Sequence, residues 1–107
     1  MIKITYNLKK HEVKIKGHAN SAPMGEDLIC AGISTLTVAL SRALKEAKSQ
    51  GLIDELTLDL DDGDTHVKAK PKEEAVPTVN TIFTTILNGY DAMSISFPQY
   101  VSFTPIG

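Results

Sequence analysis

Apolar and polar residues alternate in two stretches at the start of the chain. The alternation runs from Ile2 to Tyr6 and again from Val13 to Ile15. A period of two is typical of strands that bury one face. The polar residues between the two stretches, 7–11, have the composition of a turn. The sequence therefore predicts an opening β-hairpin.

From Leu28 to Gln50 the spacing changes to three or four residues, which is typical of one face of a helix. The apolar positions are Ile29, Ile33, Leu36, Leu40, Leu44 and Ala47. Asp27 has the chemistry of an N-cap and Gly51 that of a C-terminal stop. The opposite stripe starts with Cys30, Ser34, Thr37 and Ser41, and no charged residue occurs between Asp27 and Arg42. We expect the first half of this helix to be covered on more than one side.

A second pair of alternating stretches, Leu56–Leu60 and Thr65–Ala69, flanks an Asp- and Gly-rich segment and predicts a second hairpin. Helical spacing returns between Val76 and Met93, with Pro77 suited to the first turn. A last alternating stretch follows Pro98. The order is ββαββαβ, which predicts a single α+β domain, residues 1–107, with two helices packed on a mainly antiparallel sheet.

Composition narrows the class of protein. The chain has 107 residues, 42% of them hydrophobic, a net charge of −2 and one cysteine. The length supplies one core, and the near-neutral charge indicates neither disorder nor nucleic-acid binding. One cysteine excludes an intramolecular disulfide. Because the first residues also alternate as a strand does and lack the pattern of a signal peptide, the sequence indicates a cytoplasmic protein. No uninterrupted apolar run is long enough for a membrane span.

Cys30 lies in the first turn of the predicted helix, where free N–H groups and the helix dipole favour a thiolate. His18 ends the second strand and is separated from Asp27 by an eight-residue loop, long enough to bring the imidazole to the helix start. A Cys–His dyad is therefore possible. Asp27 could cap the helix, orient His18, or do both. A buried packing role for Cys30 and local roles for His18 and Ser34 remain the simpler alternatives.

Metal and cofactor chemistry have little support in the sequence. His11 and His66 occupy polar positions of separate hairpins, and the single cysteine has no partner at a zinc-binding spacing. The Asp-rich segment at residues 59–64 departs from a calcium-loop pattern, so we interpret it as a solvated turn. We expect no metal and no cofactor.

Two motifs resemble the ribosomal-processing cysteine protease family, called Prp. Gly17–Ala19 matches its Gly-His-Ala motif, and Gly25–Ser34 matches its Gly-x-Asp-(apolar)₂-Cys-Ala-(small)-x-Ser motif at the same separation. The predicted order of elements is also similar over the whole chain. The resemblance implies a cytoplasmic, homodimeric cysteine endopeptidase.

Within that resemblance, His18 is the general base and Cys30 the nucleophile, while Gly17, Asp27 and Ser34 match further motif positions. The loop between the motifs would admit and cover substrate: Ala19, Asn20, Ser21, Ala22, Pro23, Met24, Gly25 and Glu26. The implied substrate is large-subunit ribosomal protein twenty-seven, whose N-terminal extension is removed after an aromatic residue. Related proteins trim phage capsid or scaffold precursors.

Other functions remain open at this stage. A phage or mobile-element protease would act on capsid or scaffold precursors. A non-catalytic dimeric binding module would keep the fold with Cys30 buried, and a redox-responsive protein would use the thiol alone. A lowered thiol pKa would not separate the protease from the redox protein. Neither a nucleic acid nor a membrane is an expected partner.

Overall fold

A computed structural model describes residues 1–20, 22 and 27–107. The elements follow the predicted order, with one short 3₁₀-helix that the sequence pattern did not indicate. The strands are β1 (Ile2–Asn7), β2 (Glu12–Lys16), β3 (Ile53–Asp61), β4 (Asp64–Pro71) and β5 (Val101–Pro105). The helices are α1 (Leu28–Ser49) and α2 (Val76–Ser96), with the 3₁₀-helix Glu73–Ala75 directly before α2.

The five strands form one sheet in the order β3-β4-β2-β1-β5. Three neighbouring pairs are antiparallel, and β5 alone runs parallel to its neighbour β1, with Ile2 opposite Val101. The α+β fold and the mainly antiparallel sheet are confirmed. Because the parallel strand needs a long crossover, α1, the second hairpin and α2 all lie between β1 and β5 in the chain.

The core lies between one face of this sheet and the two helices. The strands contribute buried aliphatic residues at alternate positions, including Ile4, Val13 and Val67, and the helices contribute Leu40, Leu44 and Phe83. This is the arrangement that the alternating and helical patterns predict, since each element buries one face or stripe.

Helix α1 also buries part of the stripe opposite its apolar face. Thr37 and Ser41 are buried, and Thr37 Oγ1 lies 2.7 Å from the hydroxyl of Tyr90 on α2. Thr37 donates its own hydroxyl hydrogen to Ile33 O at 2.8 Å, so Tyr90 is the donor in the shared bond. Burial raises the pKa of Tyr90 to about 12. The two helices are thus joined by a hydrogen bond between buried side chains.

The first half of α1 is less covered than we expected. Leu28 is 83% exposed and Val38 50% exposed, and Ala31 and Thr35 between them are exposed too. By length and composition alone, α1 could also cross a membrane, but core helices meet the same criterion and α1 packs on β3 and α2. Within one copy of the chain, an uncharged face of α1 therefore remains open.

The expectation that His11 occupies a polar position is wrong. His11 ends the β1–β2 turn with φ 51° and is only 7% exposed. Its Nε2 donates to Asn80 Oδ1 at 2.6 Å, and its ring contacts the ring of Phe83 edge-on. Because a turn histidine with a positive φ is usually exposed, nothing local in the sequence indicated that α2 covers it.

We predict that Tyr90→Phe destabilises the protein by about 1–2 kcal/mol, because Thr37 Oγ1 loses a buried donor. Denaturant unfolding at neutral pH measures the change. The matched control is Tyr6→Phe, since the Tyr6 hydroxyl makes no hydrogen bond in the described part of the chain and its ring stacks on Phe103. Equal midpoints for the two variants would contradict the prediction.

Candidate active site

Asp27 caps helix α1, as predicted. Its backbone is extended (φ −78°, ψ 100°), and its Oδ1 accepts from the N–H groups of Ile29 and Cys30, each at 3.0 Å. The next N–H, that of Ala31, donates to Asp27 O at 3.0 Å. The cap therefore fixes the backbone of Cys30 directly, and it occupies N–H groups that we had expected to be free at the start of the helix.

The segment that carries His18 leaves the sheet at a glycine that no other residue can replace without strain. Gly17 has φ +92°, and a Cβ there would lie 2.3 Å from the carbonyl oxygen of Met1. Its N–H donates to Gly63 O at 2.9 Å, which ties the end of β2 to the β3–β4 turn. The direction of the chain at His18 is therefore set by close contacts on two sides.

Ala19, the first residue of the predicted substrate loop, packs against the site. Its side chain is buried, and its N–H donates to Cys30 Sγ at 3.4 Å. Cys30 itself is a free thiol of intermediate exposure. The residue after His18 thus contacts the sulfur of the predicted nucleophile.

The rest of the predicted substrate loop is described only in part. Asn20 (φ 54°) and Ala22 are exposed and lie beside the site. The other predicted loop residues lie outside the described residues: Ser21, Pro23, Met24, Gly25 and Glu26. The role we gave to this loop stays a prediction.

The imidazole of His18 rests on the β3–β4 turn. Its Nδ1 lies 3.9 Å from Asp62 Oδ1, and a Cβ on Gly63 would lie only 2.5 Å from its Nε2. Among the described residues, no hydrogen bond joins the imidazole to Cys30. The side chains of Asp62 and Asp64 are exposed, in line with our interpretation of this acidic turn as solvated. The turn nevertheless contributes Asp62 and Gly63 to the site, and Asp64 forms an ion pair with Lys16.

Two adjoining cavities meet at Cys30. The first, of about 320 Å³, brings together the predicted residues His18, Asp27, Cys30 and Ser34, along with Asp62. The second, of about 170 Å³, continues from Cys30 and Ser34 between α1 and the β3–β4 hairpin. Its wall is largely apolar: Ile2, Ile15, Ile33, Val38 and Leu60. A thiol, an imidazole and an apolar recess therefore share one surface.

Metal ligands do not gather at this surface. Within residues 1–20, 22 and 27–107, no group of three or more His, Cys, Asp or Glu side chains is arranged to hold a metal ion. The side chains that line the first cavity supply a thiol, an imidazole, a hydroxyl, an amide and two carboxylates.

The family is decided by a match over nearly the whole chain, since residues 1–102 match the family described as cysteine protease Prp. The chain belongs to the Prp family. It is therefore a member of a peptidase family whose chemistry depends on a cysteine. A comparison with curated proteins found no match.

Solved structures show the same fold. The protease Prp from S. aureus, in complex with a covalently linked product peptide, has a TM-score of 0.75 at 21% identity, covering 98% of this chain and 97% of that one. The same protease with a substrate peptide gives 0.71 at 20% identity, over 98% and 97% of the two chains. SMU.848 from Streptococcus mutans gives 0.68 at 23% identity, over 98% and 91%.

We predict that Asp27→Ala destabilises the protein by about 1 kcal/mol, because the N–H groups of Ile29 and Cys30 lose their acceptor. Asp27→Asn, which keeps an oxygen at the same position, is the matched comparison and should retain most of the stability. Thermal and denaturant unfolding measure both variants. If Asp27→Asn loses as much stability as Asp27→Ala, Asp27 stabilises the protein through its charge and not through the cap.

Proposed function

We propose that this Prp-family chain, as a single domain spanning residues 1–107, is a cysteine endopeptidase in which Cys30 is the nucleophile and His18 the general base. The observation that carries the proposal is that both side chains line one cavity at the start of α1. Catalytic hydrogen bonds are often long in free enzymes and tighten when substrate binds. The imidazole would then turn over Gly63 so that its Nε2 faces Cys30 Sγ.

The reaction we propose is acyl transfer to the thiol. His18 takes the proton of Cys30, and the thiolate adds to the scissile carbonyl carbon. When the tetrahedral intermediate collapses, the C–N bond breaks and His18 returns the proton to the leaving amine. Water, deprotonated by His18, then cleaves the thioester and releases the acyl product with a free thiol.

The oxyanion needs N–H donors other than those that Asp27 occupies. The N–H of Ala19 already donates to Cys30 Sγ at 3.4 Å, so it lies beside the sulfur that becomes bonded to the tetrahedral carbon. We propose that it transfers its hydrogen bond to the substrate oxygen as charge develops there, which would lower the barrier.

We propose that the substrate is the N-terminal extension of large-subunit ribosomal protein twenty-seven. The S. aureus relative is a ribosomal processing protease that forms complexes with substrate and product peptides. The apolar cavity beside Cys30 suits an aromatic side chain on the acyl side of the cleaved bond. A single unpaired thiol in the site fits a cytoplasmic enzyme, where thiols stay reduced.

We predict that wild-type protein cleaves a peptide spanning this extension and that Cys30→Ala does not. His18→Ala should lower kcat by at least about 100-fold, since general-base catalysis contributes on that scale. Mass spectrometry of the products locates the cleaved bond, and Ser49→Ala, at the far end of α1, is the matched control.

The outcomes separate the alternative functions. Cleavage that persists in Cys30→Ala would contradict the mechanism. If wild type leaves this peptide intact but cleaves peptides from phage capsid or scaffold precursors, the substrate assignment is wrong and the chemistry stands. If no peptide is cleaved, a binding module or a redox-responsive thiol protein replaces the protease.

We also propose that two copies of the chain associate through the uncharged face of α1. Leu28, Ala31, Thr35 and Val38 follow one another along this face and are all exposed. A second copy would remove this apolar surface from water, and most small homo-oligomers are two-fold dimers.

Leu28→Glu should shift the dimer towards monomer, because it places a charge in the apolar contact. An acidic residue in the first turn is compatible with the helix dipole, so α1 itself is preserved. Sedimentation equilibrium measures the change in dimer dissociation constant. Thr57→Glu adds the same charge at an exposed position of β3 and is the control. A monomeric wild type would contradict the proposal.

A further inference from the structure

The β3–β4 turn packs against the imidazole of His18 closely enough to control its position. Gly63 has φ +73° and offers only its Cα to the ring, since a Cβ there would lie 2.5 Å from Nε2. Asp62 Oδ1 lies 3.9 Å from Nδ1 of the same ring. We propose that Asp62 is the positioning residue of His18 and that Gly63, because it has no side chain, leaves the imidazole room to turn. The proposal rests on the proposed function, in which His18 is the base.

The chemistry of the pair determines which nitrogen of His18 can act. A carboxylate beside Nδ1 favours the tautomer that carries its hydrogen there, and this leaves the lone pair on Nε2. Nε2 is then the atom that takes the proton of Cys30. When the imidazolium forms, the negative charge of Asp62 stabilises it, as the aspartate of a serine-protease triad does.

The turn is fixed relative to the strand that carries His18, which is what a positioning role requires. The N–H of Gly17, the residue before His18, donates to Gly63 O at 2.9 Å. One residue earlier, Lys16 forms an ion pair with Asp64 on the other side of the turn. Contacts on both sides of Asp62 therefore join its turn to the end of β2.

Two other carboxylates near the site make contacts elsewhere. Asp27 Oδ1 accepts from two N–H groups of α1, and Asp64 is paired with Lys16. In the described part of the chain, Asp62 is the carboxylate that forms an ion pair with His18. Its side chain is 86% exposed, so it can rotate to close the distance to Nδ1 without disturbing a packed neighbour. Exposure also means that water screens the pair, and the effect is smaller than that of a buried aspartate.

The test compares Asp62→Asn with Asp59→Asn, which removes the same charge from an exposed position of β3. We expect Asp62→Asn to lower kcat for the extension peptide roughly ten-fold, part of the roughly 10²–10⁴-fold contribution of a general base. KM should stay within about two-fold, because Asp62 acts on the base and not on bound peptide. Asp59→Asn should match wild type, and Asp62→Glu should recover part of the lost rate.

A spectroscopic measurement tests the same proposal without turnover. Nitrogen-15 NMR of the His18 ring at alkaline pH distinguishes the two neutral tautomers. We expect the form with hydrogen on Nδ1 to predominate in wild type and in Asp59→Asn, and to give way to the Nε2–H form in Asp62→Asn.

The results distinguish failure of the role proposed for Asp62 from failure of the proposed function. A kcat for Asp62→Asn equal to that of Asp59→Asn, or a tautomer distribution unchanged by Asp62→Asn, overturns the role of Asp62. If wild type cleaves no peptide, the proposed function fails. The tautomer measurement alone then decides whether Asp62 orients His18.

Discussion

Every element of this protein is placed by the need to cover one face of a single sheet. Both helices lie on the same side of the sheet, so the strands bury alternate positions, with one irregularity between Ile53 and Glu55 of β3, and each helix keeps an apolar stripe. Helix α1 is the longer helix of the pair, and its first turn reaches the end of the sheet where β2 finishes and the β3–β4 turn begins. The candidate active site lies at that end of the sheet, where the layer of helices ends and apolar and polar surfaces meet.

The site depends on backbone contacts more than on side-chain packing. Asp27 holds the N–H of Cys30, Ala19 donates its N–H to the sulfur, and Gly17 donates its N–H to Gly63 O. Two of the residues involved are glycines with positive φ, at positions where a Cβ would meet a carbonyl oxygen or the imidazole. Such positions give the local geometry a precision that flexible side chains would not, since a mainchain group has few ways to move.

The sequence was sufficient to predict the strands, the helices and the part of the site whose residues are neighbours in the chain. Alternation and helical spacing predicted the strands and helices, and Asp27 could be recognised as a cap because the cap and the helix are adjacent in the chain. The sequence did not predict the contacts that join distant segments. Asp62 and Gly63 looked like an ordinary turn, because only the antiparallel pairing of β2 with β4 brings that turn to His18. His11 likewise looked exposed, since its burial depends on how α2 packs against the β1–β2 hairpin.

The parallel pairing of β1 with β5 has a consequence for how the molecule is made. Ile2 pairs with Val101, so the first strand has one open edge until nearly all of the residues in the sequence have been synthesised. A contact between such distant residues carries a large loop-closure cost and forms late in folding. Until then β1 pairs with β2 alone, as the edge strand of a sheet whose other strands are β4 and β3. The residues that line the two cavities at Cys30 all lie within 2–65, so the candidate site can take shape before β5 closes the sheet on β1.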